Sequence, residues 1–403
     1  MKVVIVTTFP LQPGTAPASR IRLLTLACMD QGARVHVIGS PPIAREELGP
    51  DAVGTYFSGI PVTYVNGFTA LPGARHIARF GTRVAARMRL AARAWEATRE
   101  PDSIVLIYSS PIDVGLPCFL AAKLRRRPVF FEINELVPRQ EFAGDGRLAA
   151  FMSHDLGHRW LPRVSDGVIA ITSHIGEKFA GSRVPVLILP SLFDPVADYG
   201  GEPVEFPVAQ AQPFRVMYVG QGKREDGLLE LLAAILLLRE TDLNVELEIV
   251  GNVGGSIEEH FVAMGCGNDP LPDWLHLSGW VSPEEYPARL ESADCLVLPR
   301  PRCGTNQANF PTRLPEFLRT GKPVVIGDSG DVRLYLVHRQ DALLLHESSA
   351  EEIADAIRGL AADPSLAKSI GQAGKHRGAA AFSYRAHALP LHQFLEANSR
   401  IRK

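Results

Sequence analysis

The feature that most limits how this chain can fold is a rhythm that runs through it twice. Short apolar, β-branched runs at residues 3–7, 35–38, 62–65, 104–108, 129–133, 167–171 and 186–189 alternate with longer helical stretches. Strands spaced by amphipathic helices call for a doubly wound parallel sheet. Residues 195–213, with Pro195, Pro203, Pro207, Pro213, Gly200 and Gly201, interrupt the series and read as a linker. The rhythm then resumes at residues 215–219, 245–250, 275–277, 295–298, 324–326 and 342–345. The expected fold is α/β, with two facing Rossmann-like domains, 1–195 and 214–382, and a helical tail, 383–403, that returns to the first. The 403 residues agree, because one hydrophobic core rarely grows that large. Two such sheets leave a cleft at their carboxyl edges, where ligands of these folds bind.

Several functions are excluded early. The first strand runs into Thr7-Thr8-Phe9-Pro10 and not into a glycine-rich pyrophosphate turn, which argues against a dinucleotide oxidoreductase. The five cysteines form no CxxC pair, so neither a disulfide framework nor a zinc site is expected, and Cys303 reads as a free thiol. No apolar run approaches the roughly 20 residues of a membrane span. The opening Met-Lys-Val-Val-Ile-Val-Thr-Thr reads as a buried strand rather than a signal peptide, so a cytoplasmic location is expected. Through Pro190 there are 22 Lys+Arg against 15 Asp+Glu, and beyond it 20 against 29, so the two halves face partners of different charge. No recognition motif accompanies the basic residues, and nucleic acid is not an expected partner.

Residues 309–326 carry the clearest chemistry. Arg313 and Glu316, three apart, share a helical face, and one first turn could offer the guanidinium to a phosphate and the carboxylate to ribose hydroxyls. Gly321 ends the helix, Lys322-Pro323 turns the chain, and Val324 to Ile326 is a buried strand. The plainer reading is a helix-to-strand connection with two solvated charges.

Taken in order, Tyr218-Val219-Gly220, Glu248-Ile249-Val250-Gly251, Leu277-Ser278-Gly279-Trp280-Val281, Ala293-Asp294-Cys295-Leu296-Val297-Leu298-Pro299 and Leu314-Pro315-Glu316 leading to Gly321-Lys322-Pro323 resemble the donor-binding domain of the retaining, nucleotide-sugar-dependent glycosyltransferases of family four. Phe310 to Glu316 is similar to that family's Phe-Pro-x-Lys-Leu-x-Glu subgroup, with Arg for Lys. In the first half, Thr8-Phe9-Pro10 followed by Gly14, Ser19 and Arg20, and Phe131 to Leu136, look like the acceptor side. The resemblance implies GT-B architecture and transfer from a nucleoside-diphosphate sugar to an acceptor with retention of configuration. Departures are also present. The first of the family's two glutamates falls on Ala308, its usual Arg and Lys fall on Gln221 and Asp226, and its usual His falls on Asn134.

Breaking a glycosyl-phosphate bond builds negative charge on the leaving diphosphate, which calls for fixed cations and backbone amides. Arg313, Lys223 and Arg224 are the candidates, and Glu135 is a lesser candidate for a base. The donor is expected against Gly220, Gln221, Gly222, Gly251, Trp280, Val281, Thr305, Asn306, Asn309, Phe310 and Glu316, and the substrate against Arg20 and Asn134. Asp328-Ser329-Gly330-Asp331 has the spacing of a turn, so neither a metal nor any other cofactor is expected. A GT-B sugar-nucleotide epimerase, or a degenerate sugar-nucleotide-binding subunit, are the alternatives.

Arg75, Arg79, Arg83, Arg87, Arg89 and Arg93 occupy roughly a 160° arc of one helix, with Ile77, Phe80, Val84, Met88 and Trp95 on the other side. This is either a core-packed helix with a solvated charged face or a surface that holds the chain at an anionic membrane, beside a lipid-linked acceptor.

Overall fold

The β-branched runs expected as strands form the centres of two sheets. A computed structural model describes residues 1–11, 15–40, 53–56, 59–65, 76–137, 139, 147–195, 213–241, 243–253, 257, 271–282 and 284–399. Gly14, Arg75 and linker residues 196–212 lie outside the described residues, as do the side chains of Ile77, Arg79, Phe80 and Arg83. The chain divides into unit 1, residues 1–192 with 384–403, and unit 2, residues 193–383.

Unit 1 contains β1 (Lys2–Pro10), α1 (Ala16–Asp30), β2 (Arg34–Ser40), β3 (Val53–Tyr56), β4 (Ile60–Tyr64), α2 (His76–Ala97), β5 (Ser103–Tyr108), α3 (Ile112–Leu124), β6 (Val129–Ile133), α4 (Arg147–Asp155), β7 (Gly167–Ala170), α5 (Ser173–Glu177) and β8 (Val186–Ile188). Its sheet has the order β3-β4-β2-β1-β5-β6-β7-β8. The all-parallel expectation fails at one edge, where β3 pairs antiparallel with β4. Three residues separate these strands, too few for a crossover, so they close as a hairpin. Val3 to Val6 are wholly buried, as a strand covered on both faces must be.

Unit 2 contains β9 (Phe214–Val219), α6 (Leu228–Arg239), β10 (Val245–Val250), β11 (Leu275–Gly279), α7 (Tyr286–Ser292), β12 (Cys295–Leu298), α8 (Gly304–Ala308), α9 (Leu314–Thr320), β13 (Val324–Gly327), α10 (Val332–Tyr335), β14 (Leu343–Leu345), α11 (Ala350–Ala362) and α12 (Pro364–Phe382). The sheet order is β11-β10-β9-β12-β13-β14, all parallel. Strand order reverses between β9 and β12, so the loops after these two strands frame the switch point.

The last helix, α13 (Tyr384–Ser399), belongs to unit 1. Its Tyr384, Ala388, Leu391 and Leu395 share a core with Ile21, Leu24 and Cys28 of α1. Full burial of each leucine contributes about 1.5–3 kcal/mol, which fixes the tail there. Phe394 adds an edge-on contact to Phe130, centroids 5.8 Å apart.

The arginine-rich helix α2 buries a different stripe from the one its sequence suggests. Ala86, Leu90, Ala94 and Ala97 are buried, whereas Val84, Met88 and Trp95 are exposed. Small side chains let a helix approach its neighbours closely, and the bulky residues are turned outward.

After α4 the chain widens into a π-helical turn, Leu156–Trp160, and then tightens into a 3-10 turn, Leu161–Val164. His158 is buried there, its Nε2 3.2 Å from Ser109 Oγ and its Nδ1 2.8 Å from the His154 carbonyl, with the two imidazoles stacked at 3.8 Å. Burial, helped by His154, pushes His158 down to about 3 from an ordinary 6.5. Between those values the unfolded chain takes up a proton that the native site refuses, so stability falls as pH falls. Lowering pH from 7 to about 5 is expected to cost unit 1 about 2 kcal/mol through this group. Urea unfolding at the two pH values checks it, and the His158→Gln variant should show a smaller difference.

Candidate functional site

Every strand of a parallel sheet points its carboxyl end to the same edge, so the loops after β9, β10, β11, β12 and β13 converge there in unit 2. Most of the donor-side expectations fall on these loops. The loop after β9 is held from within: the Tyr218 hydroxyl donates to Asp226 Oδ2 at 3.2 Å and accepts from the Gly222 amide at 3.3 Å, and the Lys223 amide donates to Asp226 Oδ2 at 3.2 Å. Asp226, at the position expected to hold a lysine, is thus the tie that shapes the loop, and burial raises its pKa. The Gly220 amide donates to the Val250 carbonyl, so the amides at 220, 222 and 223 are all engaged within the protein. Lys223, Arg224 and Gln221 have exposed side chains at this edge.

Gly222 turns the chain at φ +65°, and Gly251 at +129° lies so close to its neighbour that an added Cβ would stand 2.0 Å from the Gly220 carbonyl oxygen. Both turns therefore require glycine. Across the switch point, the Arg300 amide donates to the Asp226 carbonyl, and the Asn306 amide group donates to the carbonyls of Glu225 at 2.7 Å and Pro301 at 2.8 Å. Asn306 is buried and positions the two loops. Arg300, at φ +40°, is a non-glycine residue in the left-handed region at the strand end, where backbone strain marks a demanding position. Its guanidinium donates to the Asn309 carbonyl at 3.0 Å.

Arg313 and Glu316 do share the first turn of α9 and lie at this edge. Arg313 Nη1 contacts Glu316 Oε2 at 2.8 Å, the Tyr286 hydroxyl donates to the same oxygen at 3.1 Å, and the guanidinium lies 5.3 Å from the Tyr286 ring centre. The carboxylate raises the arginine pKa further. Both side chains remain partly exposed, 37% and 29%, so the pair is accessible while its orientation is set by Tyr286. Trp280 is 70% exposed, which removes it from the core and leaves its face open for stacking. Val281 and Thr305 are half-buried nearby in sequence.

Other expectations are corrected. Phe310 is buried and packs edge-on to Tyr335, centroids 5.6 Å apart, and against Phe382 at 5.5 Å, so it is a core residue. Ala308, where the family pattern has a glutamate, is also buried. In unit 1, Arg20 is buried with its donors committed: Nε to Glu132 Oε1 at 2.9 Å, Nη2 to the Leu189 carbonyl at 2.8 Å and Nη1 to the Pro190 carbonyl. A guanidinium so engaged holds β6 to the end of β8 rather than a substrate. Burial raises the Glu132 carboxyl pKa against the pull of Arg20 and a hydrogen bond from Asn134. Asn134 and Glu135 are half-buried just past β6.

Sequence reasoning overlooked Tyr286, Arg300, Arg302 and Arg333, and it read Asp328 only as part of a turn. Asp328, buried at the end of β13, accepts from Arg302 Nη2 at 2.5 Å and also binds Arg333. The Pro299-Arg300-Pro301-Arg302 run directly after a buried strand was the available signal.

Comparison with known proteins agrees with this geometry. Residues 205–377 match the family described as glycosyl transferases group 1. The GDP-mannose-dependent alpha-(1-6)-phosphatidylinositol monomannoside mannosyltransferase of Mycobacterium tuberculosis is 28% identical over 297 residues, 66% of this chain and 74% of that protein. Sucrose-phosphate synthase from Thermosynechococcus elongatus has a similar structure, TM-score 0.72 at 17% identity over 98% of this chain and 99% of that one. So does HepE from Anabaena, solved with UDP-glucose, at TM-score 0.67 and 17% identity over 98% of both chains. The two doubly wound units thus have the GT-B fold, and residues 205–377 of the second resemble the group 1 glycosyl transferases.

Proposed function

We propose that the chain moves a sugar from a nucleoside-diphosphate sugar to an acceptor, with retention of configuration and without a metal ion. The observation that carries this reading is the Arg313–Glu316 pair, oriented by Tyr286 at the carboxyl edge of unit 2 and lying within the matched residues 205–377. In the reaction the bond from the sugar C1 to the diphosphate oxygen breaks, a bond from C1 to the acceptor oxygen forms on the same face, and the acceptor proton passes to the leaving diphosphate. Arg313, with Lys223 and Arg224, would stabilise the charge that grows on that diphosphate, Glu316 would hold ribose hydroxyls and Trp280 would face the base. Metal independence is supported by Asp328, whose carboxylate is taken by two guanidinium groups. A cytoplasmic site, peripheral to an anionic membrane near a lipid-linked acceptor, belongs to the same reading. Among the described residues no helix is long and apolar enough to cross a membrane.

The mycobacterial relative is GDP-mannose-dependent and HepE binds UDP-glucose, so GDP, UDP and these sugar nucleotides are the first ligands to screen by thermal shift. A ligand at a hundredfold its Kd stabilises by about 2.7 kcal/mol. The shift is expected to persist in EDTA and to disappear in Glu316→Ala. A shift that needs a divalent cation would remove metal independence, and an inverted product anomer by NMR would remove retention. Donor hydrolysis with no acceptor dependence would favour the epimerase-like alternative.

A further inference from the structure

Three neighbouring helical segments of unit 1 each turn a large apolar stripe outward. On α3, Leu116, Leu120 and Leu124 recur every fourth residue and are exposed, Leu124 to 77%. Along α4 and the turns that extend it, Leu148, Met152, Leu156, Trp160 and Val164 keep the same spacing and are exposed, Trp160 to 58%. On α2 the exposed crest is Val84, Met88 and Trp95. Spacing of three to four residues places the α2 and α3 sets each on one side of its helix. α3 joins the other two, because Asp113 in its first turn binds Arg87 of α2 and accepts from Ser153 of α4 at 2.8 Å. A Cβ on Gly157 would stand 2.5 Å from the Ser110 carbonyl oxygen, so the third segment is seated directly on the start of α3. The three helical segments are thus fixed side by side.

The charge around them has one sign. Residues 84–97, 112–126 and 148–166 contain eight Lys+Arg and four Asp+Glu, although the whole chain has a net charge of -2. All four acids are neutralised locally: Asp113 by Arg87, Glu96 by Arg93, Asp155 by Arg159 and Asp166 by Lys123. The surplus is cationic. Both tryptophans of this face carry an arginine, with Arg125 3.9 Å from the Trp95 ring centre and Arg163 4.9 Å from that of Trp160. Isolated exposed apolar residues need no explanation, but three such sets on neighbouring helices, with cations and indoles among them, match the layering of a bilayer surface. Acyl chains lie beneath, indoles and arginines sit at the headgroups, and anionic phosphates supply the countercharge.

We propose that this three-helix face of unit 1 docks on an anionic lipid bilayer, with the leucines entering the acyl boundary and Trp160 seated at the headgroups. It deepens the membrane contact of the proposed function by replacing an arginine stripe with an inserted apolar surface, and it does not depend on the transfer reaction. The test sediments the full chain with vesicles of phosphatidylcholine alone and with equal parts of phosphatidylcholine and phosphatidylglycerol. Wild type is expected to partition at least about tenfold more strongly onto the anionic vesicles. The double variant Leu120→Asp, Trp160→Asp should fall to the neutral-vesicle level, while Leu334→Asp, an exposed leucine of unit 2, should bind as wild type. The altered side chains are exposed, and the nucleotide thermal shift reports separately on unit 2. Loss of vesicle binding in the double variant with that shift intact supports the proposal. It is overturned if wild type fails to prefer anionic vesicles, if the double variant still binds them, or if wild type ignores vesicles and instead forms a dimer that the double variant dissolves. Any of these results with the shift preserved leaves the transfer reading standing.

Discussion

Arg313→Ala is expected to slow sugar transfer about 10²–10³-fold, equivalent to about 2.7–4 kcal/mol of transition-state stabilisation, with little change in fold stability. The loss is large because the leaving diphosphate gains charge as the glycosyl bond breaks, and a fixed guanidinium acts on that charge without rearranging first. Glu316 does the fixing from 2.8 Å, and its carboxylate is in turn held by the Tyr286 hydroxyl at 3.1 Å. Fold stability changes little because a partly exposed ion pair contributes only about 0–1 kcal/mol. Arg313→Lys should recover part of the rate, since it restores a cation but not the two-pronged grip. Steady-state kinetics with the donor found by thermal shift, alongside urea unfolding, separates the effects. A kcat/KM within about twofold of wild type would exclude this guanidinium from the reaction.

Glu132→Ala is expected to destabilise unit 1 by about 3–5 kcal/mol, because it strands the buried Arg20 charge in a site built around a carboxylate. Only 5–15 kcal/mol typically separates folded from unfolded domains, so this is a large fraction. Replacing both partners together, Arg20→Met with Glu132→Leu, should restore much of the loss, since two apolar side chains leave no charge uncompensated. Arg20 also binds the carbonyls of Leu189 and Pro190, and those lose a partner in the double variant, so recovery is expected to be incomplete. Urea unfolding followed by a probe confined to unit 1 measures both. A drop below about 1 kcal/mol for Glu132→Ala would show that the pair is not what ties β6 to the end of β8.

The two sheets were legible because continuous apolar runs such as Val3 to Val6 can be satisfied only by burial on both faces. β3 was missed because its four residues, Val-Gly-Thr-Tyr, carry little apolar signal and depend on β4 for pairing. The pairing of Arg313 with Glu316 could be anticipated from three-residue spacing, a local property of any helix. Tyr286 could not, because it comes from 30 residues away and meets the pair only after β12 is inserted between them.

By itself, then, the order of residues determined what short-range periodicity can encode: the alternation of strands and helices, the restart after residue 213, the glycine turns and the local Arg313–Glu316 face. Tertiary structure alone decided which polar groups were spent internally. It took Arg20 out of contention by giving it Glu132, made Asp226 a loop tie, sent Phe310 into the core and turned Val84, Met88 and Trp95 outward. The reason is physical: a side chain's partners and its exposure depend on what distant segments bring within a few ångströms, and sequence spacing fixes such distances only within a single helix or strand.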